Sequence, residues 1–443
     1  MPHFDLLIRN ATLVLPWGET RTDLAVHDGR IAALGAAPTD EARETIDATG
    51  LHVLPGIIDP HVHFRDSGQG PLDPSGETLE SGTRGAVLGG VTTIFDMPNT
   101  TPALTDATTL AIKQTHAERA AWCDVGLYVG ATKTNITELA ALERGRGVCA
   151  VKVFAGSSTG DLLVEDDTSI EAVLAAGTRR VAFHSEDEPR LRARKPLFES
   201  GGSYADHAKW RDEEAAFLGT RRIVALAERR NRPIHILHVS TEEELDWLDP
   251  HRAHVSIEIL VNHLTQHAPD CYDRLGGYAV MNPPLRDRRH LEAAWRAVAD
   301  GRVDTIGSDH APHPRAAKER PWPATAAGLT GVQTLLPIML DHVASGRLTL
   351  SRLADLMSAG PARIYGLRRK GRIARGHDAD LTLVDLAARR TIEPAWLASP
   401  CGWSPFEGTS VTGWPIATIV RGHVVMRDDE VVGDQQGRLA DFD

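Results

Sequence analysis

The strongest constraint on the fold is an alternation that runs through the middle of the chain. Short apolar, β-branched runs stand near residues 53–58, 91–96, 125–130, 148–154, 180–183, 234–239, 254–259 and 303–307. Helical patterns separate most of them, most clearly Thr78–Leu88, Ala107–Ala121, Ile136–Glu143, Glu213–Arg230 and His290–Ala299. Eight such strands with helices between them predict an α/β fold, a (β/α)8 TIM barrel. A doubly wound sheet is the structural alternative, but no Gly-x-Gly-x-x-Gly follows any of these strands.

Both ends of the chain read differently. Phe4–Arg9 alternates, and Asp23–Val26 and Ile31–Leu34 flank Asp28-Gly29, a hairpin signal. Near the other end Ala417–Arg421 and Val424–Arg427 flank Gly422-His423. The expectation is a small β-sandwich domain formed by both termini, residues 1–55 and 366–443, beside a catalytic barrel over 56–365. The Pro- and Ala-rich stretch 311–327 follows the last barrel strand and is expected to lie over the barrel mouth as a loop, a candidate lid.

Composition excludes several classes of function. Lys+Arg is 48 and Asp+Glu is 60, a net charge of −12, which argues against nucleic acid or an anionic membrane as partner. The four cysteines form no CxxC pair and are expected to be reduced thiols in a cytoplasmic protein. No apolar run approaches the ~18 residues of a membrane span.

In a barrel, chemistry gathers where strands end. The first run leads into Asp59-Pro60-His61-Val62-His63-Phe64-Arg65, where His61 and His63, two apart, share one face of an extended strand. Lys152 stands inside the apolar run Val148–Phe154, either as a snorkelling or ion-paired lysine or as a modified one. His184, His238 and Asp309 end later strands, whereas His235 reads as a core histidine and Asp309 alone could be a helix cap. Singly each is ambiguous. Jointly, His61, His63, Lys152, His184, His238 and Asp309 predict a site for two divalent metal ions, with Zn2+ best suited to imidazole and carboxylate ligands.

At these residues the sequence resembles the amidohydrolase superfamily and, within it, the dihydroorotases. Leu54-Pro55-Gly56-Ile57-Ile58-Asp59 and Gly371-Arg372-Ile373 through Asp380 carry the first likeness. His63-Phe64-Arg65-Asp66, Met97-Pro98-Asn99-Thr100 and Ser308-Asp309-His310-Ala311-Pro312-His313 carry the second. The resemblance implies a CO2-derived carbamate on Lys152 bridging the two metals, and Asp309 as both metal ligand and catalytic proton shuttle. It implies that Arg65, Asn99 and His313 bind a substrate carboxylate, that Asn282 touches the pyrimidine ring, and that backbone around Gly328 lines the pocket. The implied activity is reversible hydrolysis of dihydroorotate, a small-molecule substrate, in a homo-oligomer, a dimer or tetramer. Ser67 in place of a proline, the longer loop 68–76 and Asn262 depart from the family pattern. Another cyclic amidase, a hydantoinase or allantoinase, would share fold and metals without needing the Arg65–Asn99 pair. A non-catalytic structural homologue would be expected to have lost metal ligands.

Overall fold

The computed structural model describes residues 4–37, 39–70, 72–158 and 162–443. Eight parallel strands form one sheet in chain order: Ile57–Val62, Val91–Asp96, Asp124–Gly130, Val148–Phe154, Val181–His184, Ile234–Ile236, Val255–Leu260 and Thr305–Gly307. A parallel bridge between Val62 and His310 brings the first and last strands together and closes the barrel. Alternation decides which side chains face in. Val151, Val153, Val181, Phe183, Ile234, Ile236, Ile257 and Ile259 belong to the core shared with the outer helices. Their neighbours Lys152, Ala182, His184, His235, Ser256 and Glu258 point the other way, because successive side chains on a strand face opposite sides.

The first run of the sequence is two strands, not one. His52–Pro55 pairs antiparallel with Leu381–Thr391 in a seven-stranded sheet, and Ile57–Val62 opens the barrel. The switch falls at Gly56, where a Cβ would lie 2.3 Å from Thr92 Oγ1 and 2.7 Å from Asp380 Cβ. A four-stranded sheet of N-terminal strands packs against this seven-stranded one around Leu6, Ile8, Val26, Val53, Leu381 and Ile419. The chain's last residues leave that sandwich: Phe442 packs with Phe95, Tyr128 and Tyr365 against the inner side of the barrel. No helix among the described residues is long and apolar enough to cross a membrane.

The helices follow their sequence signals closely, since their caps are local. Thr78 and Asp106 each make a reciprocal capping box, before Leu79–Leu88 and Ala107–Ala120. The pattern over Ile136–Glu143 resolves into a 3-10 turn, Ile136–Glu138, and a single helical turn, Leu139–Leu142. The expected loop 311–327 contains a short helix, Arg315–Lys318.

One helix position is dictated by backbone contact. Gly219, inside Glu213–Arg229, sits so close to the end of the fifth strand that an added Cβ would fall 1.6 Å from Ser185 O. Gly219→Ala is expected to cost ~3 kcal/mol by overpacking and to lower the midpoint of denaturant unfolding. An unchanged midpoint would contradict this contact.

Candidate active site

The predicted residues converge. His61, His63, Arg65, Asn99, Lys152, His184, His238, Asn282, Asp309 and Gly328 line one cleft at the strand ends, together with Phe154, Ser158, Ala311 and Ala327. His313 stands just behind this wall against Arg65 and Gly328. His235 turns to Ser256 Oγ at 2.8 Å and stays in the interior, outside the cleft. Asn262 also lies outside it, accepting from Gln266 Nε2. Glu77, a conceivable partner for Arg65, instead serves Ser81, Ser399 and the His310 side.

Ligand-type atoms crowd the base of the cleft. His61, His63 and Asp309 offer three atoms within 4.8 Å of one another, a group that can hold a metal ion. Asp309 Oδ1 lies 3.2 Å from His61 Nε2 and 3.1 Å from His63 Nε2. Across the cleft His184 Nδ1 is 3.0 Å from His238 Nε2. The opposite nitrogens are tied down. His61 Nδ1 donates to Glu258 Oε1 at 2.7 Å, His63 Nδ1 to Asn99 Oδ1 at 2.6 Å, and His184 Nε2 to Glu186 Oε2 at 3.0 Å. A histidine whose outer N–H is held by an acceptor turns its inner lone pair to the cation, the usual build of a metal-binding imidazole. The donor set therefore fits the metal pair expected from the sequence.

Electrostatics agree. Burial pushes His63 down to about 4 and His184 and His238 below their ordinary value, so these rings are neutral. Burial also lowers His61, but Asp309 and Glu258 on its two sides leave it raised. Burial raises Asp309, yet His61 and His63 outweigh that and hold its carboxyl at about 2. Lys152 is buried, makes no ion pair among the described residues, and rests its Nζ 4.5 Å from the centre of the Phe154 ring. Burial pulls its amine down to about 7 against the pull of Asp309 and Glu258.

Three of these residues hold backbone that side chains rarely adopt: Arg65 at φ 55°, His238 at φ 41° and Asp309 at φ 48°. Such positions cost of order 1–3 kcal/mol each and gather at functional sites. Gly328, at φ 147°, is required by close approach: a Cβ there would lie 2.5 Å from Ala311 O. Its N–H donates to Val280 O and its carbonyl accepts from Lys318 Nζ, so it forms wall.

Sequence reasoning missed the supporting groups. Glu258 was legible in kind: a charged residue inside an apolar strand is the signal that singled out Lys152. Glu186, held by Arg211, and the second task of Asn99 on His63 left no mark in sequence spacing.

The chain matches the model of the amidohydrolase family over residues 52–425. It is 37% identical over 431 residues to a dihydroorotase of Halobacterium salinarum, covering 96% of this chain and 97% of that protein. It is 34% identical over 451 residues to an allantoinase of Solibacter usitatus, covering 98% and 96%. Among solved structures, the L-hydantoinase (dihydropyrimidinase) from Arthrobacter aurescens superposes with a TM-score of 0.92 at 29% identity, over 98% of this chain and 99% of that one. With the site's donor set and these likenesses together, the chain belongs to the amidohydrolase family.

Proposed function

We propose that the protein is a dihydroorotase, opening the cyclic amide of (S)-dihydroorotate to N-carbamoyl-L-aspartate and, in reverse, closing the ring for pyrimidine synthesis. That it is a cyclic amide hydrolase follows from its family and relatives, which include a dihydroorotase, an allantoinase and an L-hydantoinase. The finer choice rests on Arg65. Its guanidinium is buried in the cleft wall, its Nε has no partner among the described residues, and its nearest carboxylate, Asp73, is 3.8 Å away. One donor is spent on Pro312 O. His313 Nε2 lies 3.0 Å from Ala327 O, an acceptor, so that nitrogen carries the proton and cannot also accept from Arg65 at 3.4 Å. The remaining edge of Arg65 is a fork for a carboxylate, which dihydroorotate carries on its ring and hydantoin and allantoin do not.

His61, His63, Lys152 as its carbamate, His184, His238 and Asp309 would hold the metals. Bound there, two divalent ions, zinc by donor preference, would lower the pKa of coordinated water from ~16 toward ~7 and polarise the ring carbonyl. Asp309, ionised at neutral pH, accepts the proton released by the attacking water and delivers it to the ring nitrogen as the amide C–N bond breaks. Arg65 and Asn99, with His313 behind them, keep the carboxylate fixed while this happens.

Arg65→Ala is expected to raise KM for dihydroorotate by about 10- to 100-fold, the loss of a charged hydrogen-bond pair, with metal content unchanged. An unaltered KM would remove the clamp. The direct test is to supply the purified protein with zinc and bicarbonate and assay dihydroorotate, hydantoin and allantoin in parallel. Preference for dihydroorotate supports the assignment. Turnover of the neutral rings alone would overturn it and leave a hydantoinase or allantoinase.

A further inference from the structure

We propose that His207 is a positioning residue that sets the amide of Asn282, so that the cleft presents an N–H2 donor, and not an oxygen, to the bound ring. The proposal rests on the cleft being the ring-binding site.

His207 belongs to a short helix, Asp206–Trp210, in the segment between the fifth and sixth barrel strands. No strand-end pattern marks it, and its ring is buried. His207 Nε2 lies 2.9 Å from the Met281 carbonyl oxygen and 3.0 Å from Asn282 Oδ1. The Met281 oxygen can only accept, so Nε2 must carry a proton. A protonated nitrogen repels an N–H2, so the Asn282 atom turned toward it must be the oxygen. Asn282 Nδ2 is thereby directed away from His207. It donates to no described residue, and Asn282 lines the cleft beside Asp309 and Gly328. A flipped amide would place two donors 3.0 Å apart in a partly buried site, which costs the hydrogen bond and adds repulsion.

The ring of His207 is itself held. Trp322, which follows the short helix Arg315–Lys318, meets it edge-on at 5.2 Å between centroids, and Trp210 does so at 5.9 Å. Its Nδ1 is buried without a partner among the described residues. A second proton there would find no acceptor, which fixes the neutral tautomer with the proton on Nε2. Burial and the neighbouring Arg211 push the ring down to about 3, in line with that tautomer. The chain on either side is braced too, since Arg286 Nη1 donates to Arg211 O at 2.5 Å and joins the Asn282 segment to the His207 segment.

The chemical consequence is a preference. An amide N–H2 recognises an acceptor, such as a ring carbonyl oxygen, and penalises a ring edge that presents a donor there.

The test uses the metal-loaded protein and whichever ring among dihydroorotate, hydantoin and allantoin it hydrolyses best. Expected for His207→Phe is a KM raised about tenfold or more, kcat changed by less than about threefold, and an unaltered metal content. Phe refills the aromatic site and deletes only the N–H. His207→Gln, which keeps an N–H at similar reach, should restore KM to within about threefold. Asn282→Ala should raise KM, and adding His207→Phe to it should raise KM no further. Two outcomes overturn the proposal: KM unchanged in His207→Phe while Asn282→Ala raises it, or additive effects in the double variant. Failure of the dihydroorotase assignment looks different. It appears as the wrong preferred ring in the wild-type protein, with the His207–Asn282 coupling still measurable on that ring.

Discussion

Asp309→Asn is expected to reduce turnover by about 10³-fold or more while the protein remains folded and loaded with metal. The substitution keeps an oxygen where Oδ1 sits, 3.2 Å from His61 Nε2 and 3.1 Å from His63 Nε2. It removes the negative charge and the capacity to take a proton. Asparagine cannot relay a proton from water to the ring nitrogen, so the chemical step stalls after binding. KM should change little, because Arg65 and Asn99 still hold the ring. Metal analysis and turnover on the same sample decide the matter: substantial activity in a metal-loaded variant would show that another group carries the proton.

Lys152→Met is expected to abolish activity and to lower the metal content. The amine is buried, lacks an ion-pair partner among the described residues and is pushed down to about 7, so near neutral pH much of it is unprotonated. Under the proposed function, only that form could add CO2 to become an anionic metal ligand. Reloading of the metal-free protein with zinc and bicarbonate should therefore improve as pH rises through about 7. An intact-mass increase of one CO2 should appear in the wild type and be absent from the variant. In the metal-free variant, stability should move opposite to activity. The folded amine resists a proton that the unfolded chain binds with an ordinary value of 10.5. That penalty is absent above pH 10.5, grows as pH falls and is fully developed below about 7. Metal-free Lys152→Met should thus melt higher than metal-free wild type at neutral pH. Full metal occupancy and activity in the variant would remove Lys152 from the site.

Much of this cleft is legible in the sequence alone. The ligand types sit at strand ends, and the strands announce themselves by short apolar runs. Alternation then places Lys152, His184 and Glu258 on the inner face and Val153, Phe183 and Ile257 on the outer one. The break at Gly56 was less legible, because residues 53–58 form one short run without a charged residue that spans the end of His52–Pro55 and the start of Ile57–Val62. What separates them is a crossing between two sheets, imposed by Thr92 and Asp380 from distant parts of the chain.

The barrel, the two β-rich ends and the ligand-type residues that the fold gathers in one cleft are all legible in the sequence. Each of these follows from spacing within a few residues, and local spacing is what a strand or a helix converts into a face. How those side chains are oriented depends on contacts between distant parts of the chain. Glu258 reaches His61 across 197 positions of sequence, Asn99 reaches His63 across 36, and His207 reaches Asn282 across 75. No period or motif encodes such pairs, since they come into being when the strands close into a barrel and the intervening loops fold over its mouth. Hydrogen bonds at that distance choose the imidazole tautomers and the amide rotation, and so choose which atoms of the site face the substrate.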